Sequence, residues 1–307
     1  MKKLSALILF TGITLCTFAQ NDEVKVDYTY VENGVEINAT NQSSTPKIIN
    51  LKLTVLDNYS TFDDNPTTKT VMPNNTSSIC KLTIINKDRR ADFNYRYQYV
   101  SGTSDVRYNP QMVYLLPVRE GKSTRIGSGT SIGSYLKKDL EDKAMGYVFE
   151  AEPNDTIYAT RKGVVYDIVD GNEDYSIEFY KREQNRLSIY HKDGTISQYF
   201  RIKKGSALVK NGDEVEAGQP LALAAGKMGG KANFLISFYY FDERKARLQK
   251  KPFELTRYLP KFATAESQPT ELAFNQTYTS THPVDIVTLE MTKKEKKKYL
   301  EKKGIKK

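Results

Sequence analysis

Short alternations of apolar and polar residues, separated by tight-turn dipeptides, run through most of this 307-residue chain. Residues 24–31 alternate in this way, Asn33-Gly34 marks a turn, and residues 35–39 form the return strand. Tyrosine is abundant, with 21 residues, and tryptophan is absent. Because tyrosine and β-branched residues favour strands, the pattern predicts an all-β protein.

The amino-terminal third of the chain is typical of a small antiparallel sandwich. Alternating strands are predicted at residues 48–56, 79–85 and 93–99, with a polar loop over residues 57–68. We therefore predict an immunoglobulin-like β-sandwich at residues 20–107. The last of these strands carries an aromatic row, which we interpret as a core stripe rather than a sugar-binding stripe: Phe93, Tyr95, Tyr97 and Tyr99.

The first 19 residues have the pattern of a secretory signal peptide. Lys2 and Lys3 precede a short apolar run, and Ala19 completes a small-residue cleavage site. Leu15 stands before Cys16 where a lipoprotein signal requires a small residue, which argues against a lipid anchor. We expect an exported protein without a transmembrane span, periplasmic or outer-membrane associated in a Gram-negative bacterium.

Removal of the signal peptide leaves Cys80 as the one cysteine, so no intramolecular disulfide is available. Cys80 lies in a strand-like run, and we interpret it as a buried structural thiol.

The positive charge of the chain is concentrated at its two ends. Two of the nine net positive charges belong to the signal peptide, and residues 293–307 hold nine lysines against two glutamates. Residues 21–292 are therefore neutral overall, which argues against a nucleic-acid-binding surface. The segment Lys293–Lys307 could contact an anionic membrane or an acidic partner, with a solvated tail as the alternative. We expect it to be helical at most transiently.

The remainder of the chain is predicted to contain short strands and tight turns. The glycines of residues 121–134 favour a flexible loop, and residues 135–143 have the one short helical pattern before the tail. Further strands are possible at Glu271–Phe274 and Val284–Leu289.

Four segments of residues 112–245 occur in a specific order. They are Tyr158–Val165, Gly194–Ile202, the glycine-bounded Val209–Leu221, and Leu235-Ile236-Ser237-Phe238. Together they resemble the lysostaphin/LytM-type zinc peptidoglycan endopeptidases, in an exported form similar to those of Bacteroidetes-type bacteria. The resemblance implies a barrel-like β domain of the duplicated-hybrid-motif type at residues 112–245, followed by an extension at 246–290 and a lysine-rich tail at 291–307.

The resemblance also implies where a metal site would lie. The family holds zinc with two histidines and an aspartate, and further histidines handle the proton. Carried onto this chain, the former site positions are Tyr135, Phe149, Arg201, Leu235 and Ser237. Phenylalanine and leucine have no lone pair to donate, and arginine stays protonated.

Histidine is too scarce for a displaced site to form. His191 and His282 are the two histidines of the chain, so none precedes residue 191. We expect no catalytic residues, no zinc and no other cofactor.

The sequence therefore favours a non-catalytic cell-envelope protein that binds a partner protein or peptidoglycan and regulates or scaffolds wall assembly. Arg201, Tyr199 and His191 are the candidate groove residues. Arg201 suits a partner's carboxylate, although an internal acid is an equal alternative. Two rival hypotheses stay open: an active zinc metalloendopeptidase with an atypical ligand set, and a structural subunit of an outer-membrane assembly.

Overall fold

The computed structural model describes residues 23–129, 146–174, 184–225 and 232–305. Its elements are almost all strands, which confirms the all-β expectation. The first seven are β1 Val24–Val31, β2 Gly34–Asn41, β3 Lys47–Asp57, β4 Tyr59–Ser60, β5 Thr67–Val71, β6 Asn75–Ile84 and β7 Asp92–Ser101.

Strands β1 to β7 form a two-sheet sandwich. One sheet has the order β1-β2-β6-β4 and the other the order β5-β3-β7. Alternate residues of β2, including Val35 and Ile37, point into the core between the sheets. Phe93, Tyr95 and Tyr99 pack against this core, whereas Tyr97 is 39% exposed. The interpretation of the aromatic row as a core stripe therefore holds for three of its four members.

Cys80 lies inside the sandwich. It is a free thiol, 1% exposed, with Sγ 3.6 Å from the hydroxyl of Thr61. Burial raises the pKa of the thiol, so Cys80 is held in its neutral form. The prediction of a buried structural thiol is confirmed.

In the part of the chain that the structure describes, the second unit contains the remaining strands and three helices. Its strands before the first helix are β8 Val113–Leu115, β9 Ser123–Ser128, β10 Tyr147–Ala151, β11 Thr156–Tyr158, β12 Gly163–Val169, β13 Arg186–Tyr190, β14 Ile196–Phe200, β15 Glu214–Val215, β16 Pro220–Leu223 and β17 Ala232–Phe241. The carboxyl-terminal elements are α1 Glu243–Gln249, β18 Leu255–Arg257, β19 Lys261–Ala263, β20 Thr277–Thr279, α2 Val284–Val287 and α3 Lys293–Lys302.

A large sheet organises this unit. Its order is β15-β12-β13-β14-β17-β10-β9-β20, and β18 also pairs with β17. The small two-stranded sheet of β11 and β16 contributes Ile157, Leu221 and Ala222 to the same core as the inward side chains of the large sheet. β17 therefore lies in the middle of the sheet, between β14 and β10, where neighbouring strands fix its position on both sides.

Several local predictions for this unit are wrong. Residues 123–128, expected in a flexible loop, form β9, because backbone pairing with β10 and β20 on either side holds them extended. Residues 284–287, expected in a strand, form α2, and Glu271–Phe274 forms no strand. In the sandwich, residues 67 and 68, which were expected in the polar loop, begin β5.

The lysine-rich tail is more ordered than expected. α3 begins with a capping box, in which Thr292 and Glu295 bond each other's backbone N–H groups. Leu300 is buried against the rest of the unit, and Lys162 Nζ donates to Glu295 Oε1 at 2.9 Å. These contacts outweigh the repulsion among the lysines. Along the described part of the chain, no helix combines the length and the apolar character needed to span a membrane.

Candidate functional site

The site implied by the sequence resemblance lies on the central strand of the large sheet. Phe234, Ile236 and Phe238 of β17 point into the core. Because successive strand residues point to opposite sides, Asn233, Leu235 and Ser237 lie on the other side of the sheet. We call this side the second face. Its members on three adjacent strands include Val148 and Glu150 of β10, Gln198 and Phe200 of β14, and Asn233, Leu235 and Ser237 of β17.

Register places these side chains in opposed pairs. Val148 is opposite Leu235 and Glu150 is opposite Asn233 across β10 and β17. Gln198 is opposite Ser237 across β14 and β17. Directly opposed residues on one face have their Cβ atoms about 5 Å apart, so the pairs are in contact range. The second face thus has an apolar pair between two polar pairs.

Arg201 follows β14 and approaches this face from its edge. Its backbone has a φ of 67°, in the left-handed region, and its N–H donates to the Asn185 carbonyl at 2.9 Å. The guanidinium Nη1 donates to Oδ1 of Asn233. The structure therefore brings Arg201 next to Asn233, which shares a strand face with Leu235 and Ser237.

A surface pocket of about 260 Å³ opens at the β10 side of this face. Val148, Glu150 and Asn233 line it from the second face, and Arg125 and Asn275 line its other side. A charged group on each side makes the pocket suitable for a polar ligand.

Phe149 is not on the second face. It is fully buried, and its ring stacks on Phe234 with 5.4 Å between centroids. Phe149, the position to which the resemblance carried the family's aspartate, therefore points into the core, on the opposite side of the sheet from Leu235 and Ser237. Val148 and Glu150 are the β10 residues that face Leu235 and Asn233. Tyr135 lies outside the described residues.

Tyr199 is buried in the core and does not line a groove. It has no exposed surface, and its hydroxyl accepts from the backbone N–H of Thr160 at 2.9 Å. Burial raises the pKa of its phenol. The expectation that Tyr199 binds a partner is therefore corrected, because an inward-facing residue of β14 cannot reach one.

His191 is also buried, at the end of β13. Its Nδ1 lies 2.7 Å from the carbonyl of Lys162 and its Nε2 lies 2.7 Å from the hydroxyl of Ser197. A carbonyl can only accept, so Nδ1 carries the proton and Nε2 accepts from Ser197. Burial, reinforced by the nearby charge of Arg161, lowers the pKa of His191 to about 3. Both ring nitrogens are used inside the fold, so His191 is a core residue rather than a groove residue.

His282 lies elsewhere in the unit. Its backbone N–H donates to Glu120 at 3.3 Å, and its ring lies against Gly218, where an added Cβ would come within 3.3 Å of the imidazole. Burial lowers its pKa. Neither histidine belongs to the second face.

The donors on the second face do not fit zinc. Val148 and Leu235 have no lone pairs, and Ser237 offers a neutral hydroxyl, whereas protein zinc sites use imidazole, thiolate and carboxylate. Glu150 of β10 and Asp167 of β12 are carboxylates on this side of the sheet, and Arg186 Nε donates to Asp167 at 2.7 Å. Within residues 23–129, 146–174, 184–225 and 232–305, no three His, Cys, Asp or Glu side chains are grouped closely enough to hold a metal ion.

Sequence reasoning missed a buried ionic cluster centred on Arg161. This side chain is 3% exposed, and its guanidinium binds both oxygens of Glu290 at 2.7 Å and Asp193 at 2.8 Å. Arg161 also lies over the ring of Tyr114, 5.5 Å from its centroid. No sequence signal links Arg161 to Glu290, because the two are 129 positions apart.

Comparison with known proteins places the second unit in a sequence family. Residues 142–244 match the sequence profile of Peptidase family M23, which confirms the resemblance inferred from the motifs. Among curated proteins, none is significantly similar in sequence to this chain.

Three solved structures illustrate what the chain is similar to. A zinc-containing peptidase from Vibrio cholerae is 17% identical, over 66% of this chain and 52% of its own, with a TM-score of 0.29. The M23 metalloprotease pseudoalterin, from the deep sea, is 13% identical over 52% of this chain and 98% of its own, with a TM-score of 0.29. Csd3 of Helicobacter pylori is 12% identical over 92% of this chain and 77% of its own, with a TM-score of 0.30. The chain thus spans about half the length of the Vibrio cholerae peptidase.

Proposed function

Because residues 142–244 match peptidase family M23, we propose that this chain is a non-catalytic protein of the bacterial cell envelope. Its M23 domain binds a partner protein or peptidoglycan and thereby regulates or scaffolds wall assembly. The observation that carries the proposal is the side-chain chemistry of the second face, where Val148, Leu235 and Ser237 stand in register on neighbouring strands. These residues supply bulk and one hydroxyl, rather than metal ligands.

The histidine inventory supports the same proposal. Zinc peptidase chemistry needs imidazole both as ligand and as proton carrier. Both nitrogens of His191 are bonded within the core, and His282 packs against Gly218. A water molecule on the second face therefore has no described imidazole beside it that could take its proton.

Arg201 is the residue proposed to recognise the partner. The bond from its guanidinium to Asn233 orients the cation beside the pocket that Glu150 and Arg125 line. An oriented guanidinium offers two parallel N–H groups to a carboxylate, as a peptide stem or a protein side chain would present. The Arg201–Asn233 bond would then orient the cation before the partner arrives.

Binding to purified peptidoglycan sacculi, together with pull-down from envelope extract, tests this proposal. Replacement of Arg201 by alanine should lower the captured amount about tenfold, because a charge-assisted contact is lost. The matched control is Arg119→Ala, which removes an exposed arginine from a loop of the same unit. Equal capture by the wild type and the Arg201→Ala variant would rule out this role of Arg201.

An assay with the same sacculi distinguishes the non-catalytic proposal from an active enzyme. Soluble peptide fragments released by the wild type, and abolished by a chelator, would overturn the non-catalytic proposal in favour of a zinc metalloendopeptidase with an atypical ligand set. We propose that no fragments are released with or without added zinc.

The lysines of α3 are proposed to contact an anionic membrane or an acidic partner. Lys293, Lys294, Lys297 and Lys298 are exposed on a helix whose Leu300 is buried against the second unit. Substitution of these four lysines by glutamine should release the protein from the membrane fraction at low salt, because each surface lysine contributes about 1 kcal/mol of attraction to anionic lipid. Unchanged retention would refute the contact, and with it the role of structural subunit of an outer-membrane assembly held through this helix.

A further inference from the structure

A cleft of about 860 Å³ lies between the sandwich and the carboxyl-terminal part of the second unit. One wall is the outer side of the β5-β3-β7 sheet, with Lys52 of β3 and Arg96 of β7. The other wall is α1 and the residues that follow it, including Lys250. The cleft is separate from the second face of the M23 domain, and its walls belong to two different units.

Two like charges face each other on the sandwich wall. Lys52 and Arg96 are directly opposed across β3 and β7, and both side chains are exposed. Like charges directly opposed across two strands destabilise a sheet. Among the described residues, neither forms a salt bridge, and Asp64, the carboxylate of the lining, pairs with no cation. The sandwich therefore retains a repulsion that a bound anion would relieve.

The opposite wall adds a third uncompensated cation. Arg247 and Lys251 are neutralised by Glu243 at 2.8 Å and Glu254 at 2.9 Å. Lys250 has no such partner in the described chain, and it occupies the left-handed cap position of α1 with a φ of 53°. Cations at a helix carboxyl end are favoured by the helix dipole, which accounts for their presence but leaves their charge available.

The cleft also borders an unpaired strand edge. Among the described strands, β3 is the one that pairs with β7, so β7 is an edge strand of its sheet. Arg96, Tyr97 and Gln98 of β7 line the cleft. An extended peptide that added to this edge would place every second side chain on the same face of the sheet as Arg96.

We propose that this cleft binds an acidic segment of a partner polypeptide in extended form, paired with β7 and with its carboxylates against Lys52, Arg96 and Lys250. The cations lie on facing walls of a concave cleft, so a flat membrane surface cannot reach all of them. The free strand edge recognises a peptide backbone, which a phosphate polymer lacks. Both features favour a polypeptide.

Fluorescence anisotropy of an uncharged-dye-labelled peptide of alternating glutamate and threonine, with the full-length protein, tests the proposal. Binding should weaken about tenfold or more from about 50 mM to about 500 mM salt. The triple variant Lys52→Gln, Arg96→Gln, Lys250→Gln should bind about tenfold more weakly at low salt. The matched control, Lys87→Gln, Arg90→Gln, Lys210→Gln, removes two lysines and an arginine that are exposed and outside the cleft, and it should bind as the wild type does.

A second variant separates binding from folding. Lys52→Glu replaces the opposed like charges with an ion pair, so the melting temperature should rise by about 1 °C while peptide binding is lost. Arg201→Ala should leave peptide binding unchanged, which keeps this site distinct from the proposed M23 groove. Equal loss in the control triple variant, absence of peptide binding, or tight binding of inorganic polyphosphate in place of the peptide would each overturn the proposal.

Discussion

At the scale of single residues, the position of a side chain in the fold determines which groups it can contact. His191 is the histidine nearest to the family motif in sequence, yet it is fully buried and bonded at both ring nitrogens. Arg201, which no periodicity singles out, reaches the second face because a left-handed backbone position ends β14. The sequence shows that histidine is scarce. The direction of each side chain, which only the structure gives, shows what His191 and Arg201 can contact.

The buried state of His191 predicts a pH dependence of folding. The ring is flanked by Arg161, Asp193 and Tyr114, and burial lowers its pKa to about 3. In the unfolded chain its pKa returns to about 6.5, so the unfolded state binds the extra proton between these values. Stability from His191 is therefore complete above pH 6.5 and is lost as the pH falls. From pH 7 to pH 5 the loss should be about 2 kcal/mol.

Urea unfolding of the wild type and of His191→Gln at both pH values measures this contribution. The pH dependence of the free energy of unfolding should be smaller in the variant by that amount. Asp193 stays ionised over this range, since Arg161 outweighs burial and lowers its pKa. Identical pH dependence in both proteins would show that His191 is accessible to protons in the folded state.

At the scale of elements, the carboxyl-terminal segment is fastened to the M23 domain by charged pairs. Arg161 and Lys162, between β11 and β12, bind Glu290 and Glu295, which lie before and within α3. This explains why a lysine-rich sequence, predicted to be at most transiently helical, forms a docked helix. A capping box and two long-range ion pairs stabilise this helix, which local propensity alone would leave marginal.

Breaking the more deeply buried pair should loosen this attachment. Glu290→Gln leaves the buried guanidinium of Arg161 with Asp193 as its remaining anion, and we expect a loss of about 2 kcal/mol in the free energy of unfolding. The value is below that of a fully buried pair because Glu290 is 18% exposed. Chemical denaturation measures the loss.

The matched control is Glu301→Gln in the same segment. Its carboxylate is 66% exposed and lies 3.9 Å from Lys297, so the change should cost less than about 0.5 kcal/mol. Similar losses from both substitutions would contradict the view that the Arg161 cluster anchors the segment.

Elements with strong local signals could be predicted from the sequence, and elements held by distant partners could not. The hairpin at Asn33-Gly34 and the strand Arg186–Tyr190 occur as predicted. β9 was missed because its glycines favour a loop, and its extended form depends on β10 and β20.

The candidate site could also be predicted only in part. Leu235 and Ser237 share a face by their spacing alone, whereas the side that Phe149 takes depends on register with β17, which sequence does not specify.

At the scale of the whole molecule, the chain joins two β units that differ in their local surface charge. The M23 domain has a polar pocket beside Arg201, and the sandwich contributes one wall of a basic cleft. Because the overall positive charge lies at the chain ends, these local charges, rather than net charge, determine which partners bind. The proposed scaffold role rests on these two regions.

The metal content of the native protein tests the central claim most directly. The large sheet of this region is intact, and Val148, Leu235 and Ser237 on its second face offer no imidazole, thiolate or carboxylate to a zinc ion. After purification without chelators and equilibration with zinc, mass spectrometric metal analysis should find less than about 0.1 zinc ion per chain. One tightly held zinc ion per chain, removed by a chelator and lost in the Glu150→Gln variant, would contradict the account.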